Sequence, residues 1–456
     1  MNKIELCKIP SYFAIVILAP YVISTVLGEV SLPQLISLTV FVSFIAGSLF
    51  YWPFRNGFAL IGISLLLALR VLDIEHLIEF ANLDIVLFLV GMMSVIAFLE
   101  EKKFFDWLIS IMIKPFSKSP PMLIFVILIL ATIMAALVDE VTSILFMSVI
   151  MLKVLSQYGI EGKKTIPFII FLVFTTNIGS SALPVGNPVG VLIAFQAGLT
   201  ISDFIRWVFP LAIINSVLTA VIGMVYLMRG TKLSNPGQVL EFEEVKMSRD
   251  LKVALCIFIG VLAGLILHHQ IEEYLHLGKN MMLLGVPLLG SGAVLMISRG
   301  RAREIIEKVD WWTLLYFLLL FASVGTLRFT GVTDLIALTI AKSVSGLFDT
   351  MLLVGGVISV LTAFMDNVLA VATLAPVVQA LGDVGLPIEP IWWMMLIGGT
   401  YCGNATVIGS TANIVVAGLI EKKKIGSFSM VGWMILGVPI SILTFFIAFA
   451  LLWVQL

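Results

Sequence analysis

Two stretches decide how this chain is read: Ala135–Phe146, AALVDEVTSILF, and Thr362–Thr373, TAFMDNVLAVAT. Each places polar groups, Asp139 with Glu140 and Asp366 with Asn367, in the middle of a long apolar run. A carboxylate at membrane depth is costly unless it lines a cavity or holds a partner, so these residues mark a candidate site rather than ordinary surface. The apolar segments around them, 119–155 and 349–381, are too long for one helix and are interrupted at the acids. Each reads as a helix, a tip and a returning helix. The alternative, full spans joined by aqueous loops, leaves Asp139 and Asp366 as solvated acids and scrambles the basic-loop pattern described below.

Working outward, the class follows from composition. With 456 residues, 60% of them hydrophobic and 12% charged, and a mean hydropathy of +1.12, the chain cannot hide its apolar surface as a soluble globule. It is an all-α polytopic membrane protein with the lipid bilayer as its solvent. A net charge of −1 and basic residues confined to short loops leave no footprint for nucleic acid. Cys7, Cys256 and Cys402 are far apart in sequence and form neither a CxxC pair nor a Cys/His cluster. His76, His268, His269 and His276 fall in apparent loops, and no cleavable leader stands out.

Full helices are expected near 11–28, 32–52, 56–72, 84–99, 203–228, 251–269, 280–298, 310–329 and 429–454, each about the length of a bilayer crossing. Two further segments, 165–198 and 390–420, are apolar but interrupted by Gly, Asn, Ser and Thr, and the first also by prolines. These read as helices that unwind halfway, which is tolerated only where protein or a water-filled cavity satisfies the freed backbone. The stretches 104–117 and 331–345 read either as interfacial helices or as short linkers. Residues 229–252, with Pro236, Gly237 and a charged run from Glu241 to Lys252, read as a solvated connector. Trp52, Trp311, Trp312, Trp392, Trp393 and Trp433 lie near span ends and read as an interfacial belt.

The two halves match. Asp84 corresponds to Asp310 (226 residues apart), Asp139 to Asp366 (227) and Asn177 to Asn404 (227). If Lys3 and Lys8 start in the cytoplasm, Arg55 returns there and Asp73, Glu75 and Glu79 lie outside. Lys102, Lys103, Lys114, Lys118, Lys153, Lys163 and Lys164 then fall inside. So do Arg229, Lys232, Lys246, Arg249, Lys252, Arg299, Arg301, Arg303, Lys308 and Lys422–Lys424. That count requires 119–155 to enter and leave on one face and 349–381 to do so from the other. The result is two inverted repeats, 84–228 and 310–456, each with a re-entrant hairpin and a broken helix, or about eleven spans plus two hairpins. Residues 1–83 precede the first repeat and 229–309 join the two.

A helix that stops and restarts presents free carbonyls on one side and free N–H groups on the other, so one end suits cations and the other anions or polar solutes. In the first repeat Thr175–Pro188, TTNIGSSALPVGNP, supplies Asn177, Gly179, Ser180, Ser181, Gly186 and Asn187, facing Asp139, Glu140, Thr142 and Ser143 at the tip. In the second, Cys402–Asn413 supplies Asn404, Thr406, Gly409, Ser410, Thr411 and Asn413, facing Asp366 and Asn367. No Arg or Lys occurs in any break, which favours a monovalent cation or a neutral acid over a multiply charged carboxylate.

The segments DNVLAVATLAP (366–376) and GGTYCGNATVIGSTANIVVAGLIEKK (398–423) resemble the second-half signatures of the arsenite permease and NhaD-type antiporter group of the ion transporter superfamily. That group includes the melanosomal P protein and plant silicon efflux transporters. The resemblance covers roughly residues 35–430. The first half differs: its tip reads Asp139-Glu140 where the group has Asp-Asn, and Gly186-Asn187-Pro188-Val189-Gly190 replaces Gly-Asp-Pro-Pro-Asn, moving a carboxylate from the broken helix to the tip.

The resemblance implies a homodimer in the cytoplasmic membrane of a prokaryote, with a central scaffold and a hairpin-bearing transport domain that moves as an elevator. It implies coupling to H+ or Na+ and no other cofactor. Asp139, Glu140 and Asp366 are the expected cation groups, and a sodium ion is expected at Asn177, Asn404 and Asp366. The function expected is secondary active transport of a small inorganic ion or solute, by sodium/proton antiport or metalloid efflux. The alternatives are a sodium-coupled dicarboxylate or citrate-type transporter and, less well fitted, an ion channel. An enzymatic role as an intramembrane aspartyl protease does not fit, since neither aspartate has the glycine-rich motif such enzymes require.

Overall fold

A computed structural model describes residues 3–116, 119–230, 246–298 and 300–456. Lys118, Lys232, Arg299 and the Pro236–Gly237 part of the expected connector lie outside the described residues. Among those described, the chain is helical throughout, with no strand.

Four helices precede the first repeat: α1 (Lys3–Leu27), α2 (Leu32–Phe50), α3 (Arg55–Ala68) and α4 (Ile74–Phe80). The first repeat contains α5 (Leu83–Glu101), α6 (Phe104–Ile113), α7 (Pro120–Leu137), α8 (Glu140–Gln157), α9 (Ile166–Ser180), α10 (Pro188–Ala197), α11 (Ile201–Trp207) and α12 (Phe209–Gly230). Joining helices follow: α13 (Arg249–Ile266), α14 (His268–Leu275), α15 (Met281–Ile297) and α16 (Ala302–Glu307). The second repeat contains α17 (Trp311–Phe329), α18 (Val332–Ser343), α19 (Leu347–Phe364), α20 (Asn367–Asp383), α21 (Glu389–Tyr401), α22 (Thr411–Lys422) and α23 (Met430–Gln455).

The repeats match element by element except for α11, which has no counterpart among the described residues of the second. α5 and α17 are both 19 residues long, and the first hairpin arms α7 and α19 are both 18. Nine described helices are long and apolar enough to cross a bilayer, or up to eleven if each bent pair is one span. Hairpin arms α7, α8 and α19 are among the nine, so length does not distinguish an arm from a span. Contact does. Two pairs of repeat-equivalent residues touch: Asn177 Nδ2 donates to Asn404 Oδ1 at 2.8 Å, and Asn367 Nδ2 donates to Glu140 Oε1 at 3.4 Å. Equivalent residues can meet only on the axis that exchanges the repeats. The tips therefore stop at the centre, beside the two broken helices, and because the end of α5 (Glu100) and the start of α17 (Asp310) lie together, the repeats run in opposite directions.

Glycines let these breaks close. A Cβ on Gly186 would fall 2.3 Å from the Ser180 carbonyl oxygen and 2.8 Å from that of Ala135. At the matching Gly409 it would meet the carbonyl oxygens of Gly403 at 2.6 Å and Thr362 at 2.8 Å. Only a residue without a Cβ lets the unwound strand lie so tightly on its hairpin.

Several expectations need correction. The single helix expected at 203–228 is two, α11 and α12, and α10 turns into α11 through 111°. Gly198 ends α10 in the left-handed region (φ 63°) and a Thr200/Asp203 capping box starts α11. Pro210 then sits in the first turn of α12, where a missing N–H costs nothing. Likewise 251–269 is α13 followed by α14, bent by 64°.

Three of the histidines expected in loops, His76, His268 and His269, lie in helices, and His268 is buried with Nδ1 2.7 Å from the Leu265 carbonyl oxygen. Trp392, Trp393 and Trp433 are buried rather than interfacial, because they sit on helices of the second repeat that pack inward; Trp311 and Trp312 are exposed. Arg55, read as a loop cation, is buried at the start of α3.

Candidate functional site

The tip acids first serve the backbone. Asp139 caps α8, its Oδ1 accepting the N–H groups of Val141 and Thr142, both at 2.8 Å. Asp366 caps α20 by accepting the Val368 N–H at 3.0 Å. A helix restarting at membrane depth exposes free N–H groups, and a carboxylate there satisfies them while offsetting the positive end of the dipole. Glu140, one residue further on, is not used in this way. Its carboxylate receives the Ser180 hydroxyl at 3.2 Å and the Asn367 amide at 3.4 Å, and it is 2% exposed.

The broken helices are held by amides. Asn177 Nδ2 donates to Asn404 Oδ1 and to Asn413 Oδ1 (2.9 Å), while its own Oδ1 accepts the Ser410 hydroxyl at 3.2 Å. Asn404 Nδ2 donates to the Phe174 carbonyl at 3.2 Å, and Asn413 Nδ2 to those of Gly403 and Thr406, both at 2.8 Å. Gly403 and Thr406 lie beyond the end of α21, so the Asn413 carboxamide replaces helical partners missing there, whereas Phe174 lies within α9 and its bond from Asn404 ties the two broken helices together. Asn187 does similar work, capping α10 through Gly190 N–H at 2.7 Å and donating to Ser180 Oγ at 2.7 Å. Ser410 caps α22, and Thr411 Oγ1 donates to Asp366 Oδ2 at 2.5 Å.

A cavity of about 260 Å³ reaches this centre. Asp139, Glu140, Thr142, Asn187 and Thr411 line its deep end, and Glu100, Lys308 and Asp310 line its outer part. Next to Glu100, Glu101 is ion-paired with Arg301, whose Nη1 lies 2.9 Å away, so the cavity faces the ends of α5 and α16 and the start of α17. A second space of about 50 Å³ lies between Asp366 and the α2 residues Ser48 and Leu49, with Trp52.

The structure thus divides the expected residues. Asp139, Glu140, Thr142, Asn187 and Thr411 share the larger cavity, and Asp366 borders the smaller one. Asn177, Asn404, Asn413, Ser180 and Ser410 form a buried knot behind them, which Ser180 joins to Glu140, while Asn367 reaches Glu140 from the other hairpin tip. Asp366 connects to Asn177 and Asn404 through Thr411 and Ser410, not by direct contact. The others serve packing: Gly179 lets α9 lie on Thr132 of α7, and Thr406 Oγ1 ties the second break to the Ala363 carbonyl. Ser181 bonds within its own helix, and Ser143 Oγ is buried without a hydrogen-bond partner.

Two contributors were not legible. Trp433 Nε1 donates to the Asn404 carbonyl at 2.9 Å, though nothing in its sequence context distinguishes it from a belt tryptophan. Arg55 stacks over Trp52 (4.0 Å) and Tyr316 (5.0 Å) and donates to Thr313 Oγ1 at 3.1 Å, while its Nε has no hydrogen-bond partner. Trp52 borders the Asp366 space and Thr313 the Glu140 cavity, so a guanidinium stands in the wall between them.

With this geometry in hand, comparison with known proteins is informative. A protein-family model described as "Citrate transporter" matches residues 48–398. The chain belongs to the citrate transporter family. An uncharacterized transporter of Mycobacterium bovis is 31% identical over 350 residues, covering 74% of this chain and 78% of its own. The human P protein is 23% identical over 503 residues, covering 91% of this chain and 59% of its own, in keeping with the superfamily resemblance. Among solved structures, the YdaH transporter of Alcanivorax borkumensis superposes with a TM-score of 0.58 over 92% of this chain and 97% of its own, at 13% identity, which speaks to the fold. The chain is therefore an integral membrane transporter with a solute substrate.

Proposed function

We propose that this family member is a secondary active transporter in which Glu140 and Asp366 carry the coupling cation, H+ or Na+, and the solute occupies the cavity at the first hairpin tip. One observation carries the reading: Glu140 and Asn367, equivalent tip residues of inverted repeats, meet at the centre, and a cavity runs from Glu140 toward the face where α5 ends and α17 begins. A site at the repeat axis with one-sided access is what alternating access requires. The hairpins and broken helices then form the moving domain of an elevator. Helices α1–α5 and α13–α17 form the scaffold. The superfamily resemblance supports a homodimer, and the basic loops support a cytoplasmic N-terminus, which makes this conformation inward-open.

The wall of the deep cavity holds carboxylates, an amide and hydroxyls, so it favours a small inorganic cation or a neutral metalloid acid. A second reading, a citrate-type anion, is favoured by the family match and by Arg55, which supplies the positive charge that the breaks lack. Flux into proteoliposomes under imposed H+ or Na+ gradients, with sodium, arsenite and citrate as solutes, separates them. The account expects saturable, uphill movement of one solute. Linear, unsaturable conductance would replace it with a channel.

A further inference from the structure

On the face opposite the Glu140 cavity, a larger space of about 590 Å³ lies between α4, the start of α5 and the end of α17 on one side, and α10 and α20 on the other. Asp73, at the start of α4, belongs to this face; the His76 backbone N–H and ring hold its carboxyl below the usual carboxylate range. Four side chains bridge the space. Gln196 Nε2 donates to Asn82 Oδ1 at 3.0 Å, Gln379 Nε2 donates to Gln196 Oε1 at 2.5 Å, and Arg328 Nη1 donates to Gln379 Oε1. Asn82 is the residue capping the start of α5 and Arg328 stands on α17; Gln196 and Gln379 stand on the broken helix and the second hairpin.

The repeat relation shows what this bridge does. α5 and α17 are offset by 228 residues, so the helix starts pair Asp310 with the N-cap Asn82, rather than with Asp84 as the sequence spacing suggested, and Arg328 with Glu100; α10 and α22 are offset by 223, so Leu192 corresponds to Val415. These partners line the two cavities in turn: Asn82, Arg328 and Leu192 the larger one, Asp310, Glu100 and Val415 the one at Glu140. The two spaces are thus equivalent under the repeat relation, one at each end of α5 and α17. The Glu140 cavity reaches its hairpin tip, whereas the opposite one meets α20 at Ala372 and beyond, well short of Asp366.

The bridge has no counterpart on the Glu140 side. Gln196 and Gln379 correspond to Leu419 and Leu152, and the remaining mates, Asp310 and Glu100, are both acids. We propose that Asn82, Gln196, Gln379 and Arg328 form a polar clasp that holds the face bearing Asp73 shut, and that its absence from the other face makes the conformation open at Glu140 the resting state. The proposal rests on the elevator reading, since the clasp must part for Asp366 to reach that face.

Gln196→Leu/Gln379→Leu installs the residues the other repeat already carries, which keeps the fold. Ala372→Cys, buried beneath the clasp, reports opening through its labelling rate with a membrane-impermeant thiol reagent added from the Asp73 face. The parent chain, with its native cysteines, supplies the background, and an unchanged size-exclusion profile shows that each variant is folded. The clasp account expects labelling at least tenfold faster with the double substitution. An unchanged rate overturns it. A separate variant, Asn82→Cys/Gln196→Cys joined by a short thiol cross-linker, tests the movement itself. Reversible loss of transport on cross-linking upholds the elevator even if the clasp fails; full transport while cross-linked overturns the elevator and the clasp with it.

Discussion

Single side chains in this site divide between building the breaks and facing the cavity, and the division is visible in what each would cost to remove. Gly186 and Gly409 press unwound backbone onto carbonyl oxygens at distances no Cβ tolerates. Gly186→Ala and Gly409→Ala are expected to lower the melting temperature of the purified protein, by about 1–3 kcal/mol of overpacking each, and to cut transport with it. Gly418→Ala, with open space around it, is the control and stays at wild type. Trp433→Phe leaves the Asn404 carbonyl without its indole donor, a loss of about 1–3 kcal/mol on the same assay, since a buried acceptor is left unpaired. Sequence revealed the acids and asparagines because a polar group in an apolar run stands out. It concealed Trp433 and Arg55, whose roles depend on which distant helix they fall against.

At the level of elements, the hairpins were legible for a reason that failed elsewhere. An acid between two apolar arms signals both a helix start and a depth problem, so 119–155 and 349–381 resolved into α7–α8 and α19–α20. The bend after α10 was equally well signed, by Gly198 and the Thr200/Asp203 box, but hydropathy runs on unbroken from α11 into α12 and hid it. Thr200→Ala removes a side chain that caps Asp203 N–H and donates to its carboxylate, and is expected to cost about 1 kcal/mol of thermal stability. Wild-type melting of that variant would show that packing, not the capping box, sets the turn.

Across the whole molecule, the inverted repeat was readable from two residue pairs, Asp139 with Asp366 and Asn177 with Asn404, because a duplicated structure keeps its polar landmarks in register; the third, Asp84 with Asp310, is two residues out, since Asn82 takes the matching helix start. The state of the molecule was not readable. Which face is open depends on where one rigid group of helices sits against another, and the clasp residues Gln196 and Gln379 are single polar residues whose partners lie 114 and 51 positions away. The central claim is that two hairpin tips meeting at the centre set Glu140, on the larger cavity, and Asp366, beside the smaller one, as the cation-carrying groups. Gradient-driven uptake by proteoliposomes bearing Glu140→Gln or Asp366→Asn tests it most directly, alongside size-exclusion profiles that report folding. The account predicts folded protein with uphill transport lost in both variants; wild-type uphill rates in either would contradict it.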